Sequence, residues 1–253
     1  MNCLLWYIIG FSLVYGHSLG GVLGDPSHYP LMLHISDPTT CMAGQTIPAL
    51  VFAVFEMMFA AITPLLITGA YAERLRFREF IIINTLWEIL VYYPVAHWVW
   101  GEGGWLNRRG VLDFAGGIVI HLTAGVSAVV FPKILGKRSW GTSSAMHSVP
   151  LSLVGGALLW MGWFGFNAGS ALGAGPVAAT ASANTHVAAV TSGVVWMMLR
   201  WRDDVPSVVD LINGVIAGES RWDTRYVCMH VCMYVCMYVC MYVCMYVCMY
   251  VCR

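Results

Sequence analysis

Seven apolar runs, separated by short polar or charged breaks, organise most of the chain. They cover residues 3–19, 44–71, 80–100, 114–135, 151–172, 177–199 and 208–218. A helix rises 1.5 Å per residue, so crossing the ~30 Å hydrocarbon core takes about 20 apolar residues. The second to sixth runs satisfy this. The first is short, as if its beginning were missing, and the seventh stops early. Pro64 inside the second run predicts a kink. Asp113, at the head of the fourth, predicts a helix N-cap. The first run lacks both a basic leader and a small-residue cleavage site, so a signal peptide is not expected.

The breaks at 73–79, 133–142 and 200–204 hold Arg74, Arg76, Arg78, Lys133, Lys137, Arg138, Arg200 and Arg202, whereas those at 20–42, 101–112 and 173–176 hold only Arg108 and Arg109. Because basic loops stay inside, the first set is expected in the cytoplasm, with Met1 on the same side. The two sets alternate along the chain, as successive spans require.

From Tyr226 the sequence repeats Tyr-Val-Cys-Met almost without error. A four-base repeat TATG translates into this tetrad, and His230 needs one base change. Residues 220–253 therefore read as a low-complexity tail, a translated microsatellite, separate from a membrane domain at 1–219. A genuine apolar anchor is the alternative, although a period of four drifts around a helix of ~3.6 residues per turn. Of nine cysteines only Cys3 and Cys41 precede this tail, so neither a disulfide framework nor a metal site is expected.

Composition narrows the class further. Apolar residues make up 59% and charged residues 10%, with mean hydropathy +0.71 and net charge zero. A soluble domain carries about 25% charged residues, so a water-soluble enzyme is excluded. No basic face exists for nucleic acid. The expected class is all-α, a polytopic transmembrane helix bundle in a lipid bilayer.

Ionisable groups inside spans cost ~2.5–3.5 kcal/mol or more. Glu56, Glu88 and His121 are the clear cases, with His97 and His186 less secure, since a buried histidine is often a hydrogen-bonded core residue. Counted as helix from Asp113, His121 would lie ~12 Å below the cap. Ala115, Gly116 and Gly117 are expected to let a neighbouring backbone approach. The segment from Gly162 to Ser170 reads as helix packing or as a site. Phe55 to Phe59 and His97 to Trp100 read equally as interfacial anchors.

Together, Ala72-Glu73-Arg74-Leu75-Arg76-Phe77, Ala96-His97-Trp98-Val99-Trp100-Gly101, Leu112-Asp113-Phe114-Ala115-Gly116-Gly117 with His121, and Gly162 through Ser170 resemble the ammonium transporter family (Amt/Mep/Rh). The resemblance covers roughly residues 3 to 218. It implies a fold of eleven transmembrane helices, two inverted five-helix halves plus one, assembled as a homotrimer with a pore in each subunit. Laid on that pattern, the chain supplies about seven of the eleven helices, without the first and the last three. It implies an external cation site of Trp100, Ser170, Phe59 and Asp113, a gate of Phe59 and Phe166, and a pore histidine at His121. Nothing corresponds to the family's second pore histidine, and Glu56 stands where many relatives have Gln.

The implied chemistry follows from the size of the cation. Aromatic faces attract ammonium by ~0.5–2 kcal/mol each. Stripping a small ion of water costs ~20 kcal/mol in the Born limit. Desolvation lowers an ammonium pKa, so shedding the proton at the gate is the cheaper route. Neutral ammonia can then cross an apolar lumen past His121, with no organic cofactor. Three rivals stand beside transport by the plasma membrane: an ammonium sensor, which a folded cytoplasmic domain would mark; an inactive gene-model product; and an intramembrane hydrolase using Ser170 and His121, for which no Gly-x-Ser-x-Gly elbow exists.

Overall fold

A computed structural model describes residues 1–35, 46–136, 148–202 and 204–219. Besides short 3-10 turns at Pro30–Ile35 and Asn107–Arg109, seven helical segments of twelve residues or more lie among them. They are α1 (Asn2–Tyr15), α2 (Ala49–Tyr71), α3 (Phe77–Val99), α4 (Gly117–Leu135), α5 (Val149–Ala168), α6 (Pro176–Arg200) and α7 (Val208–Glu219). The described residues divide into two compact units, one ending at 136 and carrying α1 to α4, the other starting at 148 and carrying α5 to α7. The repeat tail, the basic residues Lys137 and Arg138, and Cys41 lie outside the described residues.

Helices α2, α3, α4 and α5 are long and apolar enough to cross a membrane, and α1 and α7 are shorter apolar helices. Helix α6 is long enough at 25 residues but more polar than its run suggested. It carries Thr180, Ser182, Asn184, Thr185, His186, Thr191 and Ser192.

Several run boundaries shift for local reasons. The first helix ends at Tyr15, where Gly16 turns extended, and the remaining apolar residues form a two-residue antiparallel ladder, Ser18–Leu19 against Leu23–Gly24. In α2 the interruption falls at Ile67, three residues beyond Pro64, where its N–H reaches the Pro64 carbonyl (3.3 Å) in a three-residue turn. The fifth helix stops at Ala168; Leu172, in the left-handed region at φ 51°, belongs to the following turn.

In the first unit one face of α2 is buried: Phe52, Ala53, Glu56, Phe59, Ala60, Thr63 and Pro64, at the three- and four-residue spacing of a helical stripe. Its other face, with Leu50, Val51, Val54, Met58 and Leu65, is exposed, as for a helix against lipid. Trp6 anchors α1 to this face by donating its indole N–H to the Ala53 carbonyl (3.0 Å) and packs against Phe11, Tyr15 and Tyr93. Gly10 sets how closely α1 meets α3, because a Cβ there would lie 2.6 Å from the Tyr93 ring.

The second unit uses the same device where α6 meets α7. A Cβ on Gly193 would come within 2.9 Å of Val215, and one on Gly214 within 2.7 Å of Trp196. Such close approach gains dispersion contacts in a setting where apolar burial alone favours no helix pair over lipid.

Candidate functional site

The first unit brings three of the expected site residues together. Phe59 on α2 and Trp100, just past the end of α3, meet edge to face with centroids 5.8 Å apart at 84°. Phe55, one turn earlier, packs edge-on against Phe59 at 4.8 Å. Phe59 is buried, whereas Trp100 keeps part of its surface open. The Trp100 indole N–H donates to the backbone carbonyl of Asp113 (2.9 Å), which fixes the plane of its ring.

Asp113 contributes through its backbone and both carboxylate oxygens. Oδ1 accepts from the N–H groups of Gly116 and Gly117 (2.7 and 2.8 Å), and Oδ2 from Ile118 and Val119 (2.8 and 3.0 Å). These are the donors that the first turn of a helix leaves without intrahelical partners. Burial raises the Asp113 pKa above its ordinary value, while these four donors pull the other way. The carboxylate thereby holds the start of α4.

That geometry corrects two expectations. Residues 113–116 are not helical; the cap position is Gly116, in the left-handed region at φ 91°, and α4 begins at Gly117. His121 therefore lies only four residues into the helix, ~6 Å below its start instead of ~12 Å. Gly116 serves the turn and not the approach of another helix, because a Cβ there would collide with Ile120 of its own helix.

His97 is a clasp within the first unit. Its Nδ1 hydrogen-bonds the Val14 carbonyl (2.7 Å) and its Nε2 lies 2.8 Å from Ser18 Oγ, tying α1 and the small ladder to α3. A carbonyl only accepts, so Nδ1 carries the hydrogen. The ring is wholly buried, and its role is structural.

In the second unit Phe166 and Ser170 stand one turn apart. The Ser170 hydroxyl donates to the Phe166 carbonyl (2.8 Å), and the Phe166 ring packs against Trp163 at 5.3 Å. Donation to the backbone leaves the Ser170 oxygen lone pairs to accept from a cation. Between them Asn167, buried, donates to Thr185 on α6 (2.9 Å), which donates to the Ala181 carbonyl (2.7 Å). His186 stacks on Trp160 (5.6 Å) and packs against Phe164 (5.9 Å).

Among the described residues four helices widen into a π-helical turn, at Trp6–Gly10, Glu88–Tyr92, Gly117–Leu122 and Phe164–Ala168. Glu88, His121 and Phe166 all fall in these turns, which are frequent at functional sites. Sequence reasoning missed the tyrosines around the acids: Tyr15 at Glu56, and Tyr92 and Tyr93 near Glu88. Their spacing from the acids was the available signal. Among the described residues no group of three or more His, Cys, Asp or Glu could hold a metal ion.

Ammonium transporter 1 of Dictyostelium discoideum is 49% identical over 220 residues, covering 85% of this chain and 47% of that protein. Ammonium transporter Amt1 of Archaeoglobus fulgidus is 41% identical, covering 86% and 53%. The crystal structure of Saccharomyces cerevisiae Mep2 superposes with TM-score 0.78 at 30% identity, covering 96% of this chain and 56% of that one. A structure titled Sensor Amt Protein gives 0.75 at 28% identity, covering 87% and 56%. The chain thus spans about half the length of the curated relatives it matches. The Ammonium Transporter Family profile runs over residues 1–220, a stretch that includes Phe59, Trp100, Asp113, His121, Phe166 and Ser170, and the chain belongs to that family.

Proposed function

We propose that the chain contributes the first part of a transmembrane path for ammonium and ammonia. Trp100 and Phe59 offer aromatic faces to the cation, and the Ser170 oxygen offers an acceptor. Phe59 and Phe166 close the entrance. His121 hydrogen-bonds the amine after it has lost its proton. The working assembly is a homotrimer in the plasma membrane, with the loops at 73–79, 133–142 and 200–204 in the cytoplasm.

One observation carries this reading. The Phe59–Trp100 pair is tied through the Asp113 carbonyl to the residue whose carboxylate caps the helix bearing His121. Aromatic rings whose faces attract a cation and a histidine about one turn from a helix start are thereby built into one local structure. A structure titled Sensor Amt Protein is also similar in fold, and fold by itself does not choose between sensing and transport.

The test joins this chain to the matching second half of a full-length relative, in cells without ammonium transporters of their own. Labelled methylammonium should enter saturably. Phe166→Ala should leave the amount of folded protein unchanged while altering flux and selectivity. Unchanged flux and selectivity would remove Phe166 from the gate, and no uptake by a folded, membrane-inserted chimaera would remove the transport reading.

A further inference from the structure

The loop that follows α1 carries two histidines that the path above does not use. His17 stands just past the helix end and is exposed, and His28 is half-buried. Their rings stack nearly parallel, with centroids 3.8 Å apart at 13°. The Tyr29 ring stacks on His28 as well, at 3.9 Å and 22°. Two rings cannot share one face at such range, so His28 is sandwiched between them. The His17 backbone N–H donates to His28 Nδ1 (3.1 Å), and the His17 carbonyl accepts from the Asp25 N–H (2.8 Å). Residues 25–28 form one turn, in which the His28 N–H reaches the Asp25 carbonyl (3.2 Å) and the Ser27 N–H and hydroxyl donate to Asp25 Oδ1 (2.8 and 2.7 Å). Tyr29 is fixed to α1: its N–H donates to Ser12 Oγ (2.9 Å), and its ring packs on Phe11 at 5.4 Å.

The direction of one bond sets the chemistry. A backbone N–H only donates, so His28 Nδ1 accepts with its lone pair, and the hydrogen of the neutral ring sits on Nε2. A proton on Nδ1 sets two donors against each other, and the bond is lost. The second imidazole, 3.8 Å away, adds like-charge repulsion whenever it is protonated too. The other charged or titratable groups that bear on the pair are the Asp25 carboxylate in the same loop, Glu102 after α3, which acts on Tyr29, and, beyond Ser18, His97 with Arg108. Asp25 and the Tyr29 ring both favour a positive His28. They belong to the same turn as His28 or follow it directly, so they favour the proton with His17 docked or released and do not hold the pair together.

We propose that His17 and His28 form a proton-operated latch on this loop, closed while His28 is neutral and opened by one proton on its Nδ1. The proton comes from water and adds to the Nδ1 lone pair. The ring goes from neutral to singly positive, no covalent bond breaks, and the His17 N–H exchanges the ring nitrogen for water, which reaches it because His17 is exposed. The closed form binds fewer protons than the open one, so closure is favoured at high pH and is lost as pH falls through the imidazole range, about 6.5 for an unperturbed ring. The release is local. The ladder beyond His17 keeps its ties to α3 and the connector after it: Ser18 to His97, the Trp98 indole to the Val22 carbonyl (2.9 Å), and the Trp105 N–H to the Gly21 carbonyl (3.1 Å). The latch works in the same way whether or not the chain conducts ammonium.

Amide hydrogen exchange reads the latch directly. The full chain is placed in lipid vesicles, and exchange is followed between about pH 8 and about pH 5, the span across which an imidazole changes charge, with each amide corrected for its intrinsic rate. Protection at the His17 amide should fall about two- to tenfold at the acid end, the range expected for one net hydrogen bond. The Trp100 amide, bonded to the Ala96 carbonyl, should hold its protection and so report that α3 is intact. His28→Asn and His28→Phe both lack a titrating ring, and neither should show the step at His17. His28 lies in a loop outside the helices, and the unsubstituted chain alone decides whether the step exists, so a variant that misfolds does not protect the proposal. Equal protection of the His17 amide at both ends of the range, an equal loss at Trp100, or a step that survives in either variant would overturn it.

Discussion

Asp113→Ala should loosen the start of α4 and cost about 3 kcal/mol of stability, since unsatisfied buried donors cost ~1–3 kcal/mol each and water at the rim recovers part of the four. The four N–H groups of residues 116–119 lose their acceptor together. Gly116 then has no partner to hold its left-handed turn, and the carbonyl that orients Trp100 moves with the same loop. Thermal unfolding in detergent should shift down, and hydrogen exchange should quicken at Gly117 to Val119 before it changes in α2. Asp113→Asn should fall between, because an amide keeps one accepting oxygen but turns an NH2 toward the remaining donors. A melting temperature and exchange pattern like those of the unsubstituted chain would show that the carboxylate is not what holds the helix start.

His121→Asp should lower methylammonium uptake about tenfold in the completed chimaera, equivalent to about 1.4 kcal/mol, the size of a hydrogen bond made to a passing amine. The substitution removes an imidazole that can both give and take a hydrogen bond. It adds a group whose ionised form costs ~2.5–3.5 kcal/mol in the membrane and would hold a cation instead of passing a neutral molecule. The pH dependence of uptake should change as well, because the new carboxyl titrates where imidazole does not. Wild-type uptake with a wild-type pH profile would place His121 outside the path.

The order and number of the helices were legible because hydropathy and span length are coupled by the thickness of a bilayer. Their ends were less so. Apolar pattern does not distinguish Leu19 in a two-residue ladder from the same residue in a helix, nor Phe114 before a cap from one inside it. The misplacement of His121 has the same origin: an Asp ahead of an apolar run reads as the residue that opens the helix, whereas the Asp113 carboxylate reaches forward over a non-helical turn to Gly116 and beyond. The rim was half legible. Phe59, Trp100 and Asp113 stood out through the family resemblance, but the bond from Trp100 runs to a backbone carbonyl, which leaves no trace in residue type. Glu56 and Glu88 were visible as costly charges. Tyr92 and Tyr93 follow Glu88 by four and five residues, a spacing that could have marked them as its neighbours, but tyrosines inside an apolar run read equally as ordinary core packing.

Saturation of methylammonium uptake by the chimaera carrying Trp100→Leu, with Trp100→Phe beside it, bears most directly on recruitment of the cation at the aromatic rim. Loss of a cation–π contact of ~0.5–2 kcal/mol should raise the half-saturating concentration about 2- to 30-fold for the leucine variant at similar levels of folded protein. Phenylalanine should restore most of it. An unchanged half-saturating concentration in the leucine variant would contradict recruitment at Trp100.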